Sequence, residues 1–177
     1  MDKFYIPTCR RVNRQLTWDV LPASWHSRTV LVCPDNEVEE HRRRGRAALG
    51  CPAYGIARTR EWIYHHALDQ GYRRICMLDD DIRRFTTRLR RSEHVAGTPW
   101  WFAFRTEAEW DRCLEVMHDL LDRTAWTGLT IGANPPVDHD LSQPWRVTAN
   151  HWINVETLPP DLHWYCLLYT SDAADDS

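Results

Sequence analysis

The sequence predicts an α/β protein of Rossmann-like plan, a parallel sheet sandwiched between helices. Two apolar runs, Thr29-Val30-Leu31-Val32-Cys33 and Ile75-Cys76-Met77-Leu78, lack the polar alternation of a strand with one wet face, so they read as strands buried on both faces. Between them, residues 55–70 carry Ile56, Ile63, Ala67 and Leu68 close to helical spacing and end at Gly71, a residue suited to the left-handed position after a helix. Strand and helix alternate over connections short enough for one sheet. In chain order the pattern predicts a strand at 3–7, a helix near 13–21, a strand at 28–33, a helix near 36–48, a helix at 55–70 and a strand at 73–79. Gly97-Thr98-Pro99 then breaks it. Thr106-Glu107-Ala108-Glu109 forms a capping box ahead of a helix with Trp110, Cys113, Leu114, Met117, Leu120 and Leu121 on one face. Gly128-Leu129-Thr130-Ile131-Gly132 predicts one more strand, running into the loop Ala133-Asn134-Pro135-Pro136.

At 177 residues the chain suffices for one domain with a real core, and it shows no internal repeat or low-complexity linker. No apolar run approaches the ~18 residues that a membrane span needs, and no signal-peptide pattern is present, so the expectation is a cytoplasmic protein without a membrane partner. The cysteines are scattered without metal-ligand spacing, which reads as reduced thiols. His65 and His66 are adjacent on a helix and point about 100° apart, which argues against a zinc pair. Ten tryptophans, most in the second half, serve core packing with a share left for stacking on a ligand. Arg146, Asn150 and His151 lie among them as candidate polar groups.

Chemistry concentrates where the second apolar run ends, at Asp79, Asp80 and Asp81. In open α/β sheets ligands bind outside the carboxyl ends of the strands. If the strand continued through the acids, Asp79 and Asp81 would share one side while Asp80 pointed away. Two convergent carboxylates suit Mg²⁺ or Mn²⁺, whose remaining ligands come from water and substrate phosphates. A solvated acidic turn is the plain alternative. Five arginines follow within Ile82–Arg91, and Arg42-Arg43-Arg44-Gly45-Arg46 makes a second basic patch. Both suit phosphates or a nucleic-acid backbone, and both can equally be solvated faces. Arg58 and Arg60 occupy the first turns of the 55–70 helix, the wrong end for the macrodipole, and an external anion would explain them.

Three groups of residues together resemble a known family. Gly55-Ile56-Ala57-Arg58-Thr59-Arg60 precedes Leu78-Asp79-Asp80-Asp81, with 79 − 60 = 19 residues from Arg60 to the first acid, and this pairing is similar to the arginine helix and Asp-x-Asp strand of GT-A-fold glycosyltransferases. The opening Ile6-Pro7-Thr8-Cys9-Arg10-Arg11, with Gln15, Thr17 and Leu21-Pro22, resembles that of the TET-associated glycosyltransferases, found largely in phages, and the likeness extends over roughly residues 3–90. The resemblance implies a GT-A-like nucleotide-diphospho-sugar transferase fold. It also implies metal-dependent transfer of a sugar from a nucleotide sugar, a UDP-sugar, to 5-hydroxymethylpyrimidine in DNA. On that basis Thr8 and Arg11 would meet the base and ribose, Arg60 the base or diphosphate, Asp79 the ribose side, and Asp81 the metal with Asp79 helping, with Arg58 and Asp80 as further donor-binding candidates. Asp35 or Glu37 would read the base. Arg88, Arg90 and Arg91 would hold the DNA backbone. The general base would come from a later segment beyond Tyr165, with Asp138, His139 and Asp140 as stand-ins that also read as a polar turn. A nucleotidyl- or phosphotransferase using the same carboxylates, and a non-catalytic nucleotide-binding module, remain open alternatives.

The end of the chain carries information of another kind. Cys166–Asp176 resembles the translation of a transposase sequencing adapter, so the expectation is a glycosyltransferase domain over 1–165, incomplete at its carboxyl end and inactive as it stands, followed by a non-native tail at 166–177. Without Asp172, Asp175 and Asp176 the acids number 25 − 3 = 22 against 22 Lys and Arg, so net charge predicts no partner. Without Cys166 the cysteines number 6 − 1 = 5.

Overall fold

The computed structural model describes residues 2–88, Ala96, 101–129 and 150–161. Its main sheet has six strands in the order β3-β2-β1-β4-β8-β7. The strands are β1 (Asp2–Pro7), β2 (Thr29–Cys33), β3 (Ala48–Gly50), β4 (Arg74–Leu78), β7 (Trp126–Thr127) and β8 (Asn150–Asn154), and a separate hairpin pairs β5 (Thr86–Arg88) with β6 (Trp101–Ala103). Strands β1 to β4 run parallel, in registers such as Tyr5↔Val30, Phe4↔Cys76 and Cys33↔Gly50, and β8 joins β4 antiparallel with Cys76 opposite Trp152. The helices are α1 (Leu16–Val20), α2 (Ala23–His26), α3 (Asp35–Arg43), α4 (Ile56–Asp69) and α5 (Glu107–Leu121).

The apolar runs are continuous because both faces of the sheet are covered. Phe4, Ile6, Leu31, Cys33, Cys76 and Leu78 join one core with Trp18, Trp25, Val38, Trp110 and Leu121 from α1, α2, α3 and α5. Tyr5, Val30, Val32, Ile75 and Met77, the alternate residues of the same strands, join a second core with Ile63, Tyr64 and Ala67 of α4. Burying each large apolar side chain contributes roughly 1.5–3 kcal/mol relative to exposure. The tryptophans Trp18, Trp25, Trp110 and Trp152 are core residues, and Trp25 meets Phe4 and Trp110 ring to ring.

Four elements depart from expectation. The helix predicted near 13–21 is confined to α1 at Leu16–Val20, because Leu21 and Pro22 are extended and proline lacks the N–H a continuing helix needs, and a second short helix, α2, follows them. The helix predicted near 36–48 stops at Arg43, where Gly45 turns with φ +74°, and the chain beyond it supplies the short edge strand β3. The strand predicted over 128–132 pairs instead at Trp126–Thr127, and 130–132 lie outside the described residues. Strand β8 was not expected: Asn150 and His151, candidate polar groups by sequence, are buried within it, and Asn150 exchanges side-chain hydrogen bonds with the backbone of Leu129. Elsewhere, Thr106 and Glu109 complete both bonds of the capping box, and Gly71 takes φ +67° after α4. Arg88 lies in β5. Arg90, Arg91, Asp138, His139, Asp140, Arg146 and the 166–177 tail lie outside the described residues. Five cysteines, Cys9, Cys33, Cys51, Cys76 and Cys113, are free thiols, and among the described residues no helix is long and apolar enough to cross a membrane.

His41 of α3 is fully buried, and neither ring nitrogen has a hydrogen-bond partner among the described residues. Burial, reinforced by the Arg46 charge, lowers its pKa below the usual value of 6.5. A histidine depressed in the folded state stabilises above its unfolded pKa and loses that contribution as pH falls below it, because the unfolded chain takes the proton first. His41→Leu should therefore flatten the loss of thermal stability between about pH 7 and 5. At neutral pH it should be neutral or stabilising by up to ~1 kcal/mol, since an unsatisfied buried ring is removed. Melting curves of both proteins across that range provide the check.

Candidate functional site

The sheet reverses its winding at β1: the chain moves outward through β2 and β3, then returns to place β4 on the other side of β1. Such a switch point opens a crevice beyond the carboxyl ends of the two central strands. β1 ends at Pro7, and Thr8 N–H donates to Val32 O on β2 at 2.9 Å. The following loop is strained, with Arg10 held at φ +57°, a left-handed conformation that costs about 1–2 kcal/mol in a residue other than glycine. Glu37 stabilises it by accepting from Arg10 N–H at 2.8 Å.

β4 ends at Leu78, so the alternation of a strand does not extend to the three acids, and each carboxylate finds a different environment. Asp79 pairs with Arg60 of α4, Oδ1 to Nη2 at 2.5 Å. Asp80 accepts from Thr8 Oγ1 at 2.6 Å and from Arg11 Nη1 at 2.7 Å. Asp81 lies 3.6 Å from Arg11 Nη1, with its side chain 62% exposed. The turn itself is pinned by Thr17 of α1, whose hydroxyl donates to Asp79 O and accepts from Ile82 N–H, and whose N–H donates to Asp80 O at 3.3 Å. Gln15, fully buried, uses Nε2 to reach both Thr8 Oγ1 at 2.8 Å and Arg11 O at 3.0 Å. One amide thus ties the β1 loop together, and one hydroxyl ties the acid turn to α1.

Burial raises the pKa of Asp79 above the ordinary carboxylate value, outweighing Arg60, and raises that of Asp80, outweighing the Thr8 hydrogen bond and Arg11. A cation bound beside these carboxylates would lower both values again. Among the described residues no group of three or more His, Cys, Asp or Glu side chains is gathered to hold a metal ion alone. A hard divalent ion that takes one or two carboxylates and completes its shell from phosphate and water does not require such a group.

Two cavities flank Asp80. The first, about 430 Å³, combines apolar Pro7, Val32, Cys33, Cys51, Ala53 and Ile56 with polar Thr8, Arg10, Arg11 and Asp80, and Tyr54 in its lining is exposed. Its size and character suit a nucleobase with its ribose. The second, about 450 Å³, is lined by Arg10, Arg11, Asn13, Arg14, Leu16, Asp80, Asp81 and Arg83.

The structure therefore brings Thr8, Arg11, Asp79, Asp80, Asp81 and Arg60 to one junction. Arg60 is only 4% exposed, and the anion that its place in the helix demands is the protein's own Asp79 rather than an external one. Arg58 is exposed outside the lining of either cavity, where its neighbour Thr59 contributes to the first. Asp35 and Glu37 line neither: Asp35 packs against Gly50, where an added Cβ would meet its Oδ1 at 1.8 Å, and Glu37 serves the Arg10 backbone. Sequence reading carried Gln15 and Thr17 only as parts of a motif and passed over Cys51 and Tyr54. Polar residues beside a strand end were the available signal.

Residues 3–158 match the family model described as TET-Associated Glycosyltransferase. No curated protein matches the chain.

Proposed function

Since this chain belongs to the TET-associated glycosyltransferase family and is thus a glycosyltransferase, we propose that it moves a sugar from a nucleotide-sugar donor, a UDP-sugar, to the hydroxyl of a 5-hydroxymethylpyrimidine in DNA. The observation that carries the donor half is Asp80, tied to Thr8 and Arg11 and lining both cavities. The nucleobase enters the first, and the diphosphate lies across the acid turn toward the second.

Mg²⁺ or Mn²⁺ bound here would supply positive charge to the departing diphosphate. Asp81, the acid most open to the second cavity, is the residue to hold it, with Asp80 beside it. Asp79 takes a positioning part, locked by Arg60 at the base of the turn. Arg11, already between Asp80 and Asp81, faces charge that grows on the leaving group. Thr8 orients Asp80, and Gln15 orients Thr8, so the loop needs little rearrangement as the donor binds. The GT-A character of the fold and the acceptor class follow the resemblance of Thr8-Cys9-Arg10-Arg11 and Leu78-Asp79-Asp80-Asp81 to that family's motifs.

The test is incubation with Mn²⁺, a panel of sugar-labelled UDP-sugars and an oligonucleotide carrying 5-hydroxymethylcytosine, followed by nucleoside mass analysis. A nucleoside heavier by one sugar would support the proposal and show that the chain is active as it stands, against the expectation drawn from its sequence. A product carrying the nucleotide instead would identify phosphoryl or nucleotidyl transfer and end the proposal.

A further inference from the structure

The second cavity holds more positive charge than a donor requires. Four arginines, Arg10, Arg11, Arg14 and Arg83, face two carboxylates, Asp80 and Asp81, for a balance of 4 − 2 = +2. Arg11 is engaged by both aspartates. Among the described residues the guanidinium groups of Arg10, Arg14 and Arg83 have no carboxylate partner, although each could have been neutralised cheaply on an exposed surface. The charges of a donor diphosphate and of its divalent cation cancel, so a bound donor leaves the excess in place. Leu16 is the single apolar residue of the lining, so an uncharged apolar ligand is not what the cavity selects. A second anion is.

We propose that this cavity seats a backbone phosphodiester of the acceptor strand, gripped by Arg14 and Arg83 with Asn13 at its side, next to the acid turn where the acceptor hydroxyl must arrive. The inference rests on the DNA-acceptor reading and adds the place where the strand is held. Arginine suits the role because its planar fork meets phosphate oxygens two at a time. Arg14 lies six residues after Thr8 and three before Thr17, and Arg83 lies two residues after Asp81, so the strand would be anchored to both segments that form the donor site.

The experiment measures anisotropy of a labelled single-stranded oligonucleotide of ordinary, unmodified bases over a range of salt, with the protein and with its Arg14→Gln/Arg83→Gln variant. Calorimetric titration of UDP with Mn²⁺ runs in parallel, and melting curves confirm that the variant, altered only at exposed positions, is folded. The protein should bind the strand with an affinity that falls steeply with salt. The variant should bind about 10-fold more weakly, with a log–log salt slope smaller by roughly 1.4, or ~0.7 for each lost single-strand contact, while UDP binding is unchanged. Unchanged strand affinity and slope in the variant would overturn this placement and leave the DNA-acceptor reading standing. Loss of UDP binding with strand binding intact would assign the cavity to the donor diphosphate instead. A protein that binds UDP but no oligonucleotide at all would overturn both this inference and the acceptor reading beneath it.

Discussion

Asp79→Ala should destabilise the protein by ~1–3 kcal/mol and take donor binding with it. Arg60 is 4% exposed, and removing Asp79 takes away a carboxylate that this buried guanidinium pairs with at 2.5 Å. Breaking a buried ion pair costs about 3–5 kcal/mol, but the Asp79 side chain is 31% exposed and water screens part of the loss, which sets the smaller figure. In a chain of this size that corresponds to a melting point lower by roughly 2–12 °C. Asp79→Asn keeps an acceptor for Arg60 and should cost less. Replacing Arg60 with Met in the Asp79→Ala background removes the buried charge whose Asp79 partner is gone and should recover part of the stability without recovering the donor site. If Asp79→Ala melted with the unmodified protein, the pair would contribute nothing to holding the turn, and Asp79 would have to be assigned a direct part in ligand binding.

How far this arrangement could be read from the sequence depends on how local each part of it is. Strands β2 and β4 were legible because burial on both faces leaves an unbroken apolar run, and α4 because its spacing and Gly71 agree. Strand β8 was not: Asn150-His151-Trp152-Ile153-Asn154 contains three polar residues, and it is buried only because Asn150 and Asn154 spend their amides on the backbone of Leu129 and Leu121. Nothing in its own pattern announces those partners. Strand β3 is three residues long and follows a helix that sequence alone extends through it. The acid triplet was conspicuous by position, yet the division of labour within it was hidden, because strand alternation ends at Leu78 and the partners lie far away in sequence. Arg60 is 19 residues from Asp79 and Thr8 is 72 from Asp80. The resemblance of residues 3–90 supplied that juxtaposition in outline, and the family match extends it through β8 to residue 158.

The central claim is that the turn at 79–81 binds a nucleotide diphosphate through a divalent cation on Asp81. Calorimetric titration of UDP in the presence of Mn²⁺, repeated with excess chelator and with Asp81→Asn, tests it without requiring turnover. Asp81 is exposed and carries one long contact to Arg11, so the substitution should leave the fold intact. The expected result is tight binding with Mn²⁺, and an affinity at least about 100-fold lower, or ~2.8 kcal/mol, both with chelator and in the variant. Equal UDP affinity with and without Mn²⁺, or an Asp81→Asn protein that keeps the full metal-dependent gain, would contradict the account.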